Sequence, residues 1–452
     1  MKKIYNPRYP IRALELYCKK ANAKTLRKLA LSIGAKQGNC KTQCTKLILR
    51  QGGILERLRN IKERKGSVSI IAIDTGISNF SFTKFELEHK RPTYSDRGLI
   101  NINYNPQNAI EYDRTAEELP LLLEWKKFHI AQAFGGIMDK HFSPTPEIMS
   151  QLAYNITEYI KNEIKGADLY ILERQRLRTM SSKSVLEPVI KSNILEHIIY
   201  SNLKNKPFST QDLWKCNLEI ENHHDDESHV ISSDPQRMVS YWCDYTYLAP
   251  LKNVVNSVKS SVDMASIIPP KNIKVSNPKV SKTIRIELVK RILQTAMKAK
   301  SLGKIGNDSL SETERRCNPL LVQLNDEWYN RIQPVIKENK KYKLYDCIKI
   351  DRPAGVRKDD DLADSFLHGL AWMQWLKTYE EVQDIIYRDL GRYDQTILAD
   401  FNSYVKMKTI NMTQYQKGTL IGVDSFENEP SIKELQEEED LINKLKKLQF
   451  TY

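Results

Sequence analysis

The stretch Ser69-Ile-Ile-Ala-Ile-Asp74-Thr-Gly-Ile-Ser-Asn79 carries the strongest structural signal in this sequence. The apolar, β-branched run from Ser67 to Asp74 is typical of a strand that is buried on both faces. It ends in a carboxylate beside a Thr-Gly turn, and burying a carboxylate is unfavourable unless a metal ion or hydrogen-bond donors compensate the charge. We expect Asp74 to be a metal ligand, with a turn-capping aspartate as the alternative.

A second strand with the same ending is predicted at Asp168 to Glu173, where Leu-Tyr-Ile-Leu precedes the carboxylate. Glu173 is therefore a second candidate ligand. An ion pair with Arg174 or Arg176 is the alternative explanation for an acid at this place.

Lys358-Asp-Asp-Asp-Leu-Ala-Asp364 concentrates acids at the start of a predicted helix. Asp361 and Asp364 have i, i+3 spacing, which places them on one helix face. Asp360 lies one turn before Asp364. Acids in a first helical turn are also favoured by the helix dipole, and this alternative applies best to Asp359, Asp360 and Asp361.

The order of the predicted elements indicates an α/β fold with a mixed sheet flanked by helices. After the first strand we expect strands at 78–85 and 98–104, a helix at 144–165, the strand that ends at Glu173 and a helix at 184–200. Three strands, a helix, a strand and a helix resemble the order of an RNase H-like fold.

Other parts of the chain are predicted to lie outside this sheet. Residues 1–60 form a small helical region whose order resembles a SAP-type DNA-binding module, with Lys36, Lys41, Lys46 and Arg50 available to phosphates. The alternative is a basic helical cap on the main domain, which we place at 67–378. Polar segments at about 205–228, 250–280 and 300–345 are interpreted as insertions, and 379–452 as a helical C-terminal extension of unknown role.

Composition favours a polyanionic partner, most simply nucleic acid. The 452 residues include 70 Lys and Arg against 56 Asp and Glu, a formal net charge of +14. Seven Cys without a C-x-x-C pair indicate neither a disulfide framework nor a zinc site. No apolar run approaches the ~20 residues of a membrane span. The basic N-terminus, with no acid before Glu15, is compatible with a mitochondrial presequence.

Several ordered blocks together resemble the fungal mitochondrial Holliday-junction resolvases, which are relatives of bacterial RuvC. The resemblance covers roughly residues 67 to 376, apart from the insertions. It is carried by Ile-Asp74-Thr-Gly-Ile-Ser-Asn-Phe, Leu-Glu173-Arg-Gln-Arg-Leu-Arg178, Asp234-Pro-Gln-Arg-Met-Val-Ser-Tyr-Trp242, Lys282-Thr-Ile-Arg-Ile-Glu-Leu-Val289 and Lys358-Asp-Asp-Asp-Leu-Ala-Asp364-Ser-Phe-Leu-His-Gly.

The resemblance implies a structure-selective endonuclease that hydrolyses phosphodiesters with two divalent cations ~4 Å apart. Oxygen ligands suit Mg²⁺ or Mn²⁺ better than zinc. We assign Asp74 as the bridging ligand, Glu173 to one cation and Asp361 with Asp364 to the other. Asp360 replaces one of the last two if the register slips.

The same resemblance implies four-way junction DNA as substrate, a symmetric homodimer that makes paired nicks, and a location in the mitochondrial matrix. Lys358 is predicted to stabilise the charged phosphorane. Arg174, Arg176 and Arg178 alternate along an extended segment and would form a row of phosphate contacts, unless they belong to a solvated loop.

Two other functions are compatible with parts of the sequence. Asp-Thr-Gly-Ile-Ser-Asn after a strand also resembles the first phosphate loop of actin-like ATPases, but the sequence offers neither a second Asp-x-Gly loop nor a glycine-rich adenosine site. A non-catalytic junction-binding or DNA-packaging protein would use the basic surface alone. The gathered acids argue against it, because carboxylates would repel the phosphates that such a protein must bind.

Overall fold

The structure is a computed structural model that describes residues 9–77, 79–89, 118–135, 145–174, 187–204, 229–242, 278–302, 320–338, 342–348, 359–387 and 402. Its strands are β1 Ser67–Asp74, β2 Phe80–Glu88, β3 Leu121–Phe128, β4 Leu169–Glu173, β5 His229–Ser233 and β6 Gln323–Leu324. Its helices are α1 Tyr9–Lys20, α2 Ala23–Ser32, α3 Lys41–Lys65, α4 Ile130–Gly135, α5 Pro146–Glu158 with a π-helical turn Tyr159–Glu163, α6 Glu187–Leu203, α7 Pro235–Trp242, α8 Pro278–Ser301, α9 Asp326–Glu338, α10 Leu344–Cys347 and α11 Asp360–Tyr387.

The strands form one mixed sheet in the order β5-β4-β1-β2-β3-β6. β2 runs antiparallel to both β1 and β3, whereas β4 is parallel to β1 and to β5. This arrangement confirms the predicted mixed sheet with flanking helices. The strand beside β2 is Leu121–Phe128, which the sequence analysis did not predict, and the strand expected at 98–104 lies outside the described residues.

The two faces of the sheet are covered by different helices. α5 and α6 enclose one apolar cluster with Ile71, Ile73 and Leu172. α11 crosses the other face against β1 and β2. Gly369 permits this close approach, because a Cβ at that position would come 2.8 Å from the Phe85 ring and 3.4 Å from the Cβ of Ala72. The position of α11 relative to β1 is therefore fixed by core packing.

Hydrogen bonds tie the first turns of α11 to the sheet as well. The Ser81 hydroxyl donates to the Asp361 carbonyl at 2.7 Å, and the Trp125 indole donates to the Leu362 carbonyl at 3.2 Å. These bonds fix the end of the helix that carries the acidic residues.

The N-terminal helices α1, α2 and α3 pack into the same core as the sheet. Gly34, with φ +71°, lies against the Trp375 ring, so closely that a Cβ would fall 2.1 Å from it. The partly buried Arg237 donates to the Gly34 carbonyl and to Gln51. The helices are thus packed on the main domain as in the alternative interpretation, and a SAP-like DNA-binding role stays a prediction.

The predicted segment boundaries do not coincide with the structural elements. The segment 300–345, which was predicted as an insertion, contributes β6 to the sheet and Trp328 and Ile332 of α9 to the main core. α11 continues past residue 378 to Tyr387. The segments 205–228 and 250–277 lie outside the described residues, as does 388–452 except for residue 402. No helix in the described ranges combines the length and apolar character that crossing a membrane requires.

Candidate active site

Three carboxylates converge at one edge of the sheet. Asp74 and Glu173 end β1 and β4, two parallel neighbours in which Ile73 is paired with Leu172, so both side chains emerge at the same edge. Asp364 reaches them from the second turn of α11. One carboxylate oxygen from each of Asp74, Glu173 and Asp364 lies within 4.8 Å of the others. The strand ends and the helix predicted from the sequence therefore meet at one point.

Burial and mutual repulsion make this cluster difficult to ionise. The pKa of Asp74 is raised well above its usual value, first by burial and then by the charges of Glu173 and Asp361. Burial also raises the pKa of Asp364 to about 7, although the Arg285 guanidinium acts in the opposite direction. A divalent cation would relieve this repulsion, because it replaces protons as the source of positive charge.

The acids before Asp364 point to different partners. The Asp359 carboxylate accepts hydrogen bonds from the backbone N–H groups of Leu344 and Tyr345 at 3.1 and 3.3 Å, which excludes it from the three-carboxylate cluster. Asp360 pairs with Lys282. The hydrogen bond and charge of Lys282 outweigh burial and lower the pKa of Asp360.

Asp361 does not contribute an oxygen to the three-carboxylate cluster, although its charge acts on Asp74. Its carboxylate accepts a hydrogen bond from the fully buried ammonium of Lys127 at 2.7 Å. Burial raises the pKa of Asp361, and Lys127 counteracts part of that effect. The i, i+3 spacing placed Asp361 and Asp364 on one face, but their side chains are directed to different partners.

A hard divalent cation fits the three converging carboxylates. The Glu173 Oε2 atom is buried and has no hydrogen-bond partner among the described residues. His368 Nδ1 lies 3.4 Å from this oxygen. An orphaned buried carboxylate oxygen beside two other carboxylates is an incomplete coordination set, and an all-oxygen donor set suits Mg²⁺ or Mn²⁺.

Four residues at the site were not assigned a role from the sequence: Lys127, Lys282, Arg285 and His368. Lys282 and Arg285 belong to a sequence block that carried the family resemblance. The acids with which they pair lie about eighty residues later in the sequence. Lys127 is buried in β3, a strand that was not predicted. The apolar residues Leu121, Leu122, Leu123 and Trp125 are the signal that could have indicated this strand, but no local signal predicts that Lys127 is buried.

The predicted DNA contacts are described only in part. Arg174 is exposed, and its guanidinium donates to the Ser232 hydroxyl at 3.2 Å rather than to Glu173. Arg176, Arg178 and Lys358 lie outside the described residues.

Three predicted lysine contacts lie on the surface of the N-terminal helices. Lys36, Lys41 and Lys46 are exposed. The Lys36 ammonium lies 3.5 Å from Asp234, which directly follows β5. Since Ser233 is paired with Glu173 in the sheet, this basic surface begins at the same edge as the carboxylates.

Comparison with known proteins gives consistent matches. The profile of the family described as "Mitochondrial resolvase Ydc2 / RNA splicing MRS1" matches residues 70–382. "Cruciform cutting endonuclease 1, mitochondrial" of Saccharomyces cerevisiae is 35% identical over 376 residues, covering 83% of this chain and 88% of the relative. "Mitochondrial RNA-splicing protein MRS1" of Saccharomyces paradoxus is 25% identical over 416 residues, covering 90% of this chain and 94% of the relative.

Among solved structures, the yeast mitochondrial Holliday junction resolvase Ydc2 matches with a TM-score of 0.39 and 14% identity, covering 82% of this chain and 100% of that one. The profile match and the 35% identical relative agree with the resemblance carried by the sequence blocks. The chain belongs to the family of the mitochondrial resolvase Ydc2 and the RNA-splicing protein MRS1.

Proposed function

We propose that this protein is a metal-dependent endodeoxyribonuclease that resolves four-way DNA junctions by paired symmetric nicks. The convergence of Asp74, Glu173 and Asp364 within 4.8 Å at one sheet edge carries this proposal. Family membership and the name of the 35% identical relative, a cruciform cutting endonuclease, support the same substrate class.

Asp74, Glu173 and Asp364 would hold a Mg²⁺ or Mn²⁺ ion. When bound, such an ion activates water and stabilises the leaving oxygen of the phosphodiester. Asp74 suits a bridging role, because its strand β1 is paired with β4, which carries Glu173, and is also in contact with α11, which carries Asp364. A second cation, as in the two-ion scheme, would require Asp361 to exchange Lys127 for the metal, with Asp360 as the neighbouring alternative.

The substrate and assembly follow from the shape of a junction. A four-way junction has approximate two-fold symmetry, so a homodimer would present one site to each of two opposed strands. The three relatives are all named as mitochondrial, and a role in mitochondrial DNA recombination fits the one that is named a cruciform cutting endonuclease.

The decisive experiment incubates the purified protein with a labelled four-way junction in Mg²⁺, beside a matched linear duplex. Symmetric nicks on the junction alone, lost in Asp74→Asn while binding persists, would support a junction resolvase. Cutting of both DNAs would indicate a nuclease of broader range. Binding without cutting in Mg²⁺ and in Mn²⁺ would contradict the proposal.

The lysines of the N-terminal surface are proposed to contact DNA phosphates. Replacing Lys36, Lys41 and Lys46 together by Gln should weaken junction binding and reduce the slope of log affinity against log salt by about 2–3. A matched triple variant, Lys298→Gln with Lys300→Gln and Lys337→Gln, removes the same charge from other helices and should leave the slope unchanged. If both variants keep the slope of the unaltered protein, the N-terminal helices are only a cap.

A second candidate function is non-catalytic binding of structured nucleic acid. It is favoured by one observation: two relatives at 25% and 24% identity are named as RNA-splicing proteins. The cleavage experiment separates the two functions, because only a nuclease gives metal-dependent products. An RNA junction of the same sequence, added as a competitor, would show which nucleic acid is preferred.

A further inference from the structure

Helix α8 brings two cations to the carboxylate cluster, and neither has an assigned role. Lys282 and Arg285 are spaced i, i+3 and therefore share one face of α8. Lys282 pairs with Asp360. Arg285 donates from Nε to Asp364 Oδ1 at 2.5 Å and from Nη2 to Asp364 Oδ2 at 3.0 Å. The helix thus presents a pair of cations to two consecutive turns of α11.

The contact between Arg285 and Asp364 occupies the carboxylate at both oxygens. Such bidentate pairs are the stronger class of charge-assisted hydrogen bond. Asp364 is nevertheless one of the three acids that converge on the candidate metal position. A divalent cation there must share Asp364 with the guanidinium or displace one of its two hydrogen bonds.

Arg285 is one of three cations that pair with acids of α11. Lys127, Lys282 and Arg285 pair with Asp361, Asp360 and Asp364 respectively. Each cation lowers the negative potential that a divalent ion would experience. Among the three, Arg285 is bonded to a member of the three-carboxylate cluster itself, so its effect on metal affinity should be the largest.

We propose that Arg285 competes with the metal ion for Asp364 and balances the charge of the cluster while no ion is bound. This inference rests on the proposed function, because it takes the cluster to be a metal site. Arg285 is then a positioning residue that acts through Asp364. The hydrogen bonds between Arg285 of α8 and Asp364 then weaken when the ion binds.

A purely orienting role for Arg285 predicts the opposite result. If the guanidinium only holds Asp364 in its binding rotamer, its removal would weaken metal binding. If the two cations compete, its removal would tighten metal binding, because the carboxylate becomes available and the local potential more negative. The sign of the change therefore decides between the two.

The test is Mn²⁺ titration of the DNA-free protein by calorimetry at about pH 8.5, where protons compete least with the metal. Arg285→Gln should bind Mn²⁺ about tenfold more tightly than the unaltered protein. Arg285→Lys keeps the charge but loses the two-point contact, and should bind with intermediate affinity. Lys298→Gln removes the same charge from a site more than three turns along α8 and should leave Mn²⁺ affinity unchanged.

Equal or weaker Mn²⁺ binding in both Arg285 variants would overturn the competition. Asp74→Asn identifies the site that is titrated, since it should lose most of the Mn²⁺ affinity. If the unaltered protein binds no Mn²⁺, the proposed metal-dependent function fails, and this inference fails with it. If it binds Mn²⁺ and the Arg285 variants do not differ from it, only the inference fails. Arg285→Lys keeps the test decisive if Arg285→Gln does not fold.

Discussion

The two ends of the sheet contain buried charges in opposite arrangements. At the far end from the carboxylate cluster, the Lys62 ammonium lies 2.5 Å from Glu118 and 2.8 Å from Glu380, and it is 2% exposed. At the cluster, Asp74 and Glu173 converge with Asp364. One site places a cation between two acids, whereas the other places acids against each other.

This difference separates a structural ion network from the proposed metal site. A buried ion pair persists because each charge has its partner, even when it adds little net stability. A cluster of like charges opposes folding unless protons, a bound ion or a cation of the chain offset the charge, and here Arg285 offsets only part of it. Both groups involve α11, whose Asp364 belongs to the cluster and whose Glu380 belongs to the network.

Neutralising one carboxylate of the cluster should change activity more than any other substitution. Asp74→Asn should reduce metal-dependent junction cleavage by at least about a thousandfold, because it removes one of the carboxylates that would hold the metal ion. Its metal-free stability should be equal or higher, since one repelling charge is gone. Cleavage rates and urea unfolding of the same preparation measure both effects.

Asp168→Asn is the matched control for that variant. Asp168 directly precedes β4 and therefore lies at the opposite end of the paired strands β1 and β4 from Asp74. Asp168 accepts hydrogen bonds from the Ser69 N–H at 2.8 Å and from the Lys65 ammonium at 2.8 Å. This variant should lose about 1–2 kcal/mol of stability and keep its cleavage rate. A large loss of metal-free stability in Asp74→Asn would contradict the comparison.

Removing the Lys62 cation from the structural network should destabilise the fold. Lys62→Met leaves Glu118 and Glu380 buried together without their shared partner, and should destabilise the fold by about 3–5 kcal/mol. Chemical denaturation measures the loss. The double variant Lys62→Met with Glu380→Gln should recover part of it, and no recovery would show that the network is not the cause.

The third prediction uses the raised pKa values of Asp74 and Asp364. The folded-state pKa of Asp364 is raised to about 7, and that of Asp74 is raised as well, so the folded protein holds more protons than the unfolded chain above about pH 4. The contribution of Asp364 to stability therefore falls as pH rises from about 4 to 7. Mn²⁺ should offset this loss at high pH and have less effect at lower pH, where the carboxyl groups hold protons.

Thermal unfolding with and without Mn²⁺ at about pH 8 and about pH 5.5 tests this dependence. The unfolding temperature should rise by a few degrees with Mn²⁺ at the higher pH and much less at the lower. Asp364→Asn should reduce the pH dependence of the Mn²⁺ effect. An equal Mn²⁺ effect at both pH values would mean that the ion binds elsewhere.

The parts of the fold that could be predicted from the sequence are those with local signals. β1 and β4 are apolar runs that end in carboxylates, and α11 begins at an acidic run. β3 was missed because Lys126 and Lys127 interrupt its pattern, and the buried Lys127 donates a hydrogen bond to Asp361, more than two hundred residues later. Which partner each acid takes is decided by α8 and β3, elements distant in sequence.

The proposed sites of DNA contact show the same limit. Basic residues can be recognised in the sequence, but the ion pair that places Lys36 beside Asp234 at the sheet edge joins parts of the chain that are distant in sequence. The N-terminal helices were predicted with two alternative roles. Their burial against Trp375 was not predictable, because it depends on the left-handed backbone of Gly34 meeting a helix more than three hundred residues later.

The contact of Gly369 with the sheet has a consequence for the spacing of the carboxylates. Asp364 lies on the same helix, five residues before Gly369, so the distance between α11 and β1 affects the distance between Asp364 and Asp74. If the proposed metal site is correct, the room that it offers to a cation would be limited by backbone packing in the apolar core, at a residue that belongs to none of the three ligands.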